Sequence, residues 1–225
     1  NEINKRDLIQ VKSGADYTMK KAACKIIGGH SYSNNDDQIY LGFSIIGRKK
    51  NYVKSKRIKK GNLYITGKIG SALVFAAIEK KIISGMYSEE VINTMKQSNY
   101  ETYKIFSKFN IQHITDISGF GLAKHAHNLL LRHSDLNGLE ISLKKIPLYE
   151  GAKKALNENV KSSLNDSNKM FIINNLEIEY NKINRKILNC LFDPQTGGGF
   201  LFILDNTQKK VLSEFVKKKI NYTCI

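Results

Sequence analysis

The sequence predicts an α/β (α+β) fold, a mixed or antiparallel sheet flanked by helices, and three observations carry that prediction. Short β-rich runs and amphipathic helical stretches follow one another partly in alternation and partly in succession. The run "FLFIL" at 200–204 is a strong strand, and "IYLGFSIIG" at 39–47 alternates as a second. Hydrophobic residues make up 41% of the 225 and charged residues 25%, the balance of a globular protein with a real core.

Taken in order, "SGADYTMKKAACKII" (13–27) reads as a helix running into a strand start, followed by a glycine pair and a polar connector, "SYSNNDDQIY". After strand 39–47 comes the lysine-rich stretch 48–60, read as a linker. "GNLYITG" (61–67) is a short strand, and "SALVFAAIEKKII" is an apolar-striped helix. Residues 88–110 read as one long amphipathic helix, with Ser88 as its cap and Glu89 and Glu90 in its first turn. "IQHITDISGFG" is a strand and loop, "LAKHAHNLLLRHS" a helix, and "LEISLKKIPL" a strand before Pro147. "YEGAKKALNENV" is a helix and "KSSLNDSNKM" a polar loop. The last helix, "TQKKVLSEFVKKKI", takes Thr207 as its cap, and "NYTCI" closes as a short strand. No internal repeat is visible.

Composition excludes several classes. No apolar run nears the roughly 18 residues that a membrane span needs, and the start, "NEINKRDLIQ", is too polar for a signal peptide. Three cysteines, Cys24, Cys190 and Cys224, form no C-x-x-C pair, which argues against disulfide scaffolds and zinc clusters and for a cytoplasmic protein. Cys24 and Cys190 lie in apolar surroundings and read as buried structural thiols. The formal charge of +16 comes from scattered lysines, without the interleaved aromatics of a nucleic-acid surface. It reads as a solvated lysine-rich surface, with a field that attracts a polyanionic ligand as the alternative.

Three polar clusters interrupt the apolar pattern. In "IIGGHSYS" the glycine pair lets the backbone approach a ligand closely, or simply makes a tight turn. In "TDISGFGL" (115–122), Asp116 precedes two glycines and a helix start. The helix end favours an anion and a carboxylate is a magnesium ligand, whereas the bland alternative has Asp116 or Ser118 merely capping the helix. In "FDPQTGGGF" (192–200), three glycines precede an apolar strand. The Gly-Lys-Ser/Thr ending of a Walker A loop is missing, and the motif enters a strand rather than the helix of a Rossmann fingerprint. His125 and His127 are two apart and point in different directions on a helix, so they read as surface or cap histidines.

Together, "GGHS", "TDISGFGL-x-x-H" and "DPQTGGGFL" resemble the selenophosphate synthetase (selenide, water dikinase) family, whose pattern runs GGHS…TD-x-TGFGL-x-GH…DPQTSGGLL. The matching residues are Gly28-Gly29-His30-Ser31, Thr115-Asp116 with Gly119-Phe120-Gly121-Leu122 and His125, and Asp193-Pro194-Gln195-Thr196 with Gly198-Gly199. "VKSSLNDSN" (160–168) is similar to the family's segment before the last motif. Ser118 stands where the family often has Thr, and Gly197 where it often has Ser.

The resemblance implies an aminoimidazole-ribonucleotide-synthetase-like protein: an N-terminal domain that dimerises through its sheet, a C-terminal α/β domain, and ATP with Mg2+ in a cleft between them. It implies the conversion of ATP, selenide and water to selenophosphate, AMP and phosphate by a homodimer. Gly28, Gly29, His30 and Ser31 would contact ATP, reaching across the dimer, and Asp116 would be a magnesium ligand. The family's nucleophilic Cys or selenocysteine, its nearby Lys, and its N-terminal aspartates have no match here, so no catalytic residue is assigned. Residues 1–54 are therefore expected to be the tail of the N-terminal domain and 55–225 the C-terminal domain, in a truncated chain that makes no selenophosphate alone. The alternatives are a non-catalytic nucleotide-binding module, another enzyme of the superfamily, or an RNA-binding protein favoured only by charge.

Overall fold

The computed structural model describes residues 5–32, 40–48, 57–179 and 185–225. The chain divides into two compact units, Asn1–Lys54 and Ser55–Ile225. Most of the lysine-rich linker (49–56), and residues 33–39 of the polar connector, lie outside the described residues.

In the first unit, α1 (Lys5–Lys21) buries no residue. Residues 24–32 and 40–48 form neither helix nor strand, so the expected strands after 21 and at 40–47 are not observed; position 39 lies outside the described residues. A strand exists only through ladder bonds to a neighbour, and all the described strands belong to one sheet in the second unit. Ile27, Phe43, Ile45 and Ile46 are all exposed. Cys24 is half-buried rather than buried.

The second unit is a four-stranded sheet between two layers of helices. Its strands are β1 (Asn62–Thr66), β2 (Ile114–Asp116), β3 (Phe200–Leu204) and β4 (Tyr222–Cys224), in the order β2-β3-β1-β4. Every pairing is antiparallel, with Leu63 opposite Ile203, Ile65 opposite Leu201, and Asp116 opposite Phe200. The helices are α2 (Ser71–Glu79), α3 (Tyr87–Met95), α4 (Tyr100–Lys108), α5 (Gly121–Arg132), α6 (Glu150–Asn157), α7 (Asn165–Met170), α8 (Arg185–Leu188) and α9 (Lys210–Lys217).

Strand alternation sorts the two faces. Leu63, Ile65, Leu201 and Ile203 join Leu73, Val74, Leu122, Leu129 and Ala152 of α2, α5 and α6 in the main core. Tyr64, Phe202 and Leu204 face a second cluster with Ile105 and Phe106 of α4 and Val211 and Phe215 of α9. Phe106, Phe202 and Phe215 meet edge-to-face at 4.9–5.7 Å. Both faces are covered, so the central strands read as continuous apolar runs despite being antiparallel.

The long helix expected at 88–110 is two helices, broken at residues 96–99. Ser98 and Asn99 compete for backbone hydrogen bonds, as short polar side chains do. Ser98 Oγ accepts the Tyr100 N–H at 3.2 Å, and Asn99 Nδ2 donates to the Gly198 carbonyl at 2.7 Å. Ser88 is not the cap of α3; that position is Met86, and the Ser88 hydroxyl donates back to the Gly85 carbonyl.

The expected strand over 139–148 is also absent. Leu143–Lys145 is a 3₁₀ turn, and only Leu148 makes a bridge, parallel, to Ile69. Pro147 lacks an N–H and offers only its carbonyl, which accepts from Ile69 at 2.8 Å. The apolar alternation serves instead to bury Ile146 and Leu148. Conversely, the polar "KSSLNDSNKM" contains helix α7, held by buried Asn165 and Asn168. Thr207 does not cap α9, whose N-cap is Lys209 with no side-chain cap. Thr207 lies in a preceding 3₁₀ turn, Asn206–Gln208, which Asp205 caps: its Oδ1 accepts both the N–H and the hydroxyl of Thr207, and Gln208 completes a capping box.

Candidate nucleotide and metal site

β2 delivers Thr115 and Asp116 to the end of the sheet, and the chain then turns through 117–120 into α5. Thr115 is buried, whereas Asp116 is exposed at the strand's last position. Among the described residues no donor reaches the Asp116 carboxylate. The capping alternative for Asp116 and Ser118 is not what forms: the N-cap of α5 is Phe120, and no side chain caps it. Phe120 is 57% exposed, and a methyl group added at Gly119 would meet nothing within 4 Å. The result is a bare loop tip with a carboxylate beside the positive end of a three-turn helix.

Beneath this tip the loop is firmly held. His125, one turn into α5, is buried, and its Nε2 accepts the Ser118 N–H at 3.0 Å with the Ser118 hydroxyl 3.1 Å away. Burial holds this imidazole below its ordinary pKa, against the pull of the Asp116 carboxylate, which favours the neutral ring that such an acceptor requires. His125 is therefore a brace under the loop rather than a surface histidine. His127 is half-buried, with a buried Nδ1 lacking a hydrogen-bond partner.

The DPQT loop packs directly behind. Gln195 donates its N–H to the Ser118 carbonyl at 3.2 Å, and Ile117 donates to Gly199 at 2.9 Å. Gln195 Oε1 accepts from the N–H groups of Gly70 (3.0 Å) and Ser71 (3.2 Å), and its Nε2 donates to Asp193 Oδ2 at 2.9 Å. Ser71 Oγ in turn accepts the Thr196 N–H at 3.2 Å. An α-helix begins with N–H groups that lack internal partners, and here those of α2 are met by a loop from the far end of the chain. Asp193 is completely buried, facing the first-turn N–H groups of Ala72 and Leu73 and the Ser162 hydroxyl. Its Oδ1 nonetheless has no partner in good hydrogen-bond geometry. Burial outweighs these donors and pushes its carboxyl up to about 6.

Two glycines explain the run that propensity could not. A Cβ at Gly198 would collide with the Ile117 carbonyl oxygen, and one at Gly199 with the Thr66 carbonyl oxygen. Asn168 of α7 donates both to Gly119 O (2.9 Å) and to Phe192 O (3.0 Å), tying the two loops together. Asn165 donates to Asn189 O at 2.8 Å. These asparagines were not singled out individually in the sequence; the one signal was that their segment, 160–168, is similar to the family's segment before the last motif.

Of the residues predicted from sequence, the structure thus brings Asp116, His125 and the DPQT loop into one assembly. Gly28, Gly29, His30 and Ser31 lie exposed in the other unit, without helix or strand. Cys190 is buried, and burial together with the Asp193 charge pushes its thiol up, so it is inert.

No family model matches the chain. It is 26% identical over 211 residues to the selenide, water dikinase of Clostridioides difficile (strain 630), covering 93% of this chain and 59% of that protein. The selenide, water dikinase of Caldanaerobacter subterraneus subsp. tengcongensis is 26% identical over 218 residues, covering 96% and 62%. That of Campylobacter jejuni serotype O:2 is 24% identical over 231 residues, covering 95% and 65%. A solved thiamine-monophosphate kinase from Stenotrophomonas maltophilia superposes with a TM-score of 0.42 at 11% identity, over 73% of this chain and 46% of the other. The chain spans about three-fifths of the length of the first two curated relatives. Over nearly all of its own length, this α/β chain is similar to proteins named selenide, water dikinase.

Proposed function

We propose that this chain supplies part of an ATP-dependent selenide, water dikinase, in which Asp116 holds the metal that accompanies the nucleotide. The observation that carries the reading is the contrast inside one loop: an exposed, unpaired Asp116 on a base held by buried His125, Gln195 and Asn168, each hydrogen-bonded to the loops. Rigid support beneath a free carboxylate is what a positioned ligand needs.

The residues fit magnesium in kind. Mg2+ takes oxygen ligands and is commonly held by one or two carboxylates together with substrate phosphates, and Asp116 offers one such carboxylate. When bound, magnesium neutralises polyphosphate charge. The chain's own contribution is placement. β2 fixes the Asp116 backbone, His125 holds Ser118, and the positive dipole end of α5, which no side chain caps, lies beside the loop. Gly28 to Ser31 are proposed to contact ATP through exposed backbone amides in a glycine-containing segment. Selenide as the phosphoryl acceptor, a homodimeric assembly and a cytoplasmic location extend the same reading.

The test is binding of Mg·ATP to the 225-residue chain by calorimetry. Asp116→Ala is expected to abolish the magnesium-dependent part of the affinity, while His127→Ala retains it. Equal affinity for the two variants, with and without magnesium, overturns the assignment of Asp116.

A further inference from the structure

The β2–loop–α5 unit returns on itself, so the segments before β2 and after α5 meet at the end remote from Asp116. The 12 residues of α5 put about 18 Å between the two ends. At the closed end lie His113, His133 and Asp135, each offering one ligand atom, all within 4.8 Å of one another. Asp135 Oδ2 is 3.4 Å from His113 Nε2. His113 is only 2% exposed, and apart from that long contact with Asp135 its Nε2 has no hydrogen-bond partner. A buried imidazole nitrogen met only by one long, poorly aligned contact is under-satisfied and calls for a specific reason.

The backbone on both sides of this nitrogen is held. The His113 carbonyl accepts the Ile203 N–H of β3 at 2.9 Å. His133 ends α5, donating its N–H to Leu130 at 3.2 Å, and its ring faces the Gln112 carbonyl, an acceptor for the nitrogen that does not ligate. Asp135 Oδ2 also accepts the N–H of Ile58, the first core residue of the second unit. The two rings stack at 3.9 Å with 27° between their planes.

We propose that His113, His133 and Asp135 form a binding site for a borderline divalent transition metal, with Zn2+ as its probe. Two imidazoles and a carboxylate match Zn2+, Ni2+, Fe2+ or Cu2+, whereas the harder Mg2+ takes an oxygen-only set. Three protein ligands leave a fourth, water-accessible position on a tetrahedral ion. Ligation at about 2.0–2.1 Å requires the half-buried His133 ring to turn out of its stack so that both lone pairs converge. The bound ion would tie β2, the end of α5 and Ile58 together. This site is independent of the magnesium reading, and its failure leaves Asp116 untouched.

The experiment is titration of the 225-residue chain with Co2+, followed by competition with Zn2+ and Mg2+. One Co2+ per chain is expected, with d–d absorption of a nitrogen/oxygen site, displaced by Zn2+ and not by Mg2+. Zn2+ should also raise Tm. His133→Gln and Asp135→Asn should each weaken Co2+ binding tenfold or more and remove the Tm rise, while His127→Gln changes neither. Circular dichroism selects whichever of the two ligand variants keeps its fold, and one suffices. A thiolate-to-cobalt absorption band, unchanged affinity in the folded ligand variant, or equal competition by Mg2+ overturns the proposal.

Discussion

Asp116 and Asp193 are two carboxylates at opposite sides of one loop assembly, and their environments divide their labour. Asp116 stands at the end of β2, exposed and without a donor. Asp193 is wholly buried against the first turn of α2, and its carboxyl is pushed up to about 6. The glycines divide in the same way: Gly119 has open space around it, whereas Gly198 and Gly199 are pressed against backbone carbonyls. One motif leaves its carboxylate free, and the other commits its Gln195 side chain to structure. The lesson is that a recognisable motif need not touch a ligand; DPQT is legible as the support for another motif's loop.

The sharpest way to break this division is Gly199→Ala. Its methyl group has nowhere to go but into the Thr66 carbonyl, and the cost is expected to exceed about 3 kcal/mol. Urea unfolding measures it, and a loss under 1 kcal/mol would mean that the two strands can part without penalty.

Next comes pH. Asp193 binds its proton more tightly folded than unfolded, so the unfolded state ionises first as pH rises from about 4. Stability is therefore expected to fall through the window from pH 4 to 6 and to level off above it. The gap from the ordinary 3.8 to about 6, at 1.36 kcal/mol per pH unit, makes this at most about 3 kcal/mol. Asp193→Asn should remove that slope; identical pH profiles for the two proteins would place the proton elsewhere.

Asn168→Ala removes the donor to the buried Phe192 carbonyl and to the part-buried Gly119 carbonyl, and should cost about 2 kcal/mol. It should also speed amide exchange at residues 117–121 more than in β1. The smallest effect belongs to Asp116→Ala, within about 0.5 kcal/mol of the parent. A large loss of stability there would end the contrast on which its assignment rests.

Much of the second unit could be read before any coordinates. β1, α2, β2, α5, β3 and β4 arise from runs whose apolar spacing matches what the core demands. The failures have specific causes. The period of 88–110 is continuous, but Asn99 is drawn off to Gly198, a partner that no local pattern announces. Residues 139–148 alternate like a strand, yet Pro147 and the lack of a neighbour leave one bridge. Residues 161–170 look like loop because their buried side chains are Asn and Ser, which pack through hydrogen bonds rather than apolar area. At the site, Asp116 could be found from its neighbours in sequence, but the engagement of Gln195 with Gly70 could not, because it joins positions 125 residues apart.

That separation has a consequence for how the protein is made. Among the described residues β1 pairs only with β3 and β4, and the first turn of α2 is met by the DPQT loop, so both elements emerge from the ribosome long before their partners. An apolar strand waiting on such distant contacts is slow to settle and open to mispairing. The nascent chain up to about residue 190 is therefore the species that needs protection, and synthesis of the last segment is the event that closes the sheet.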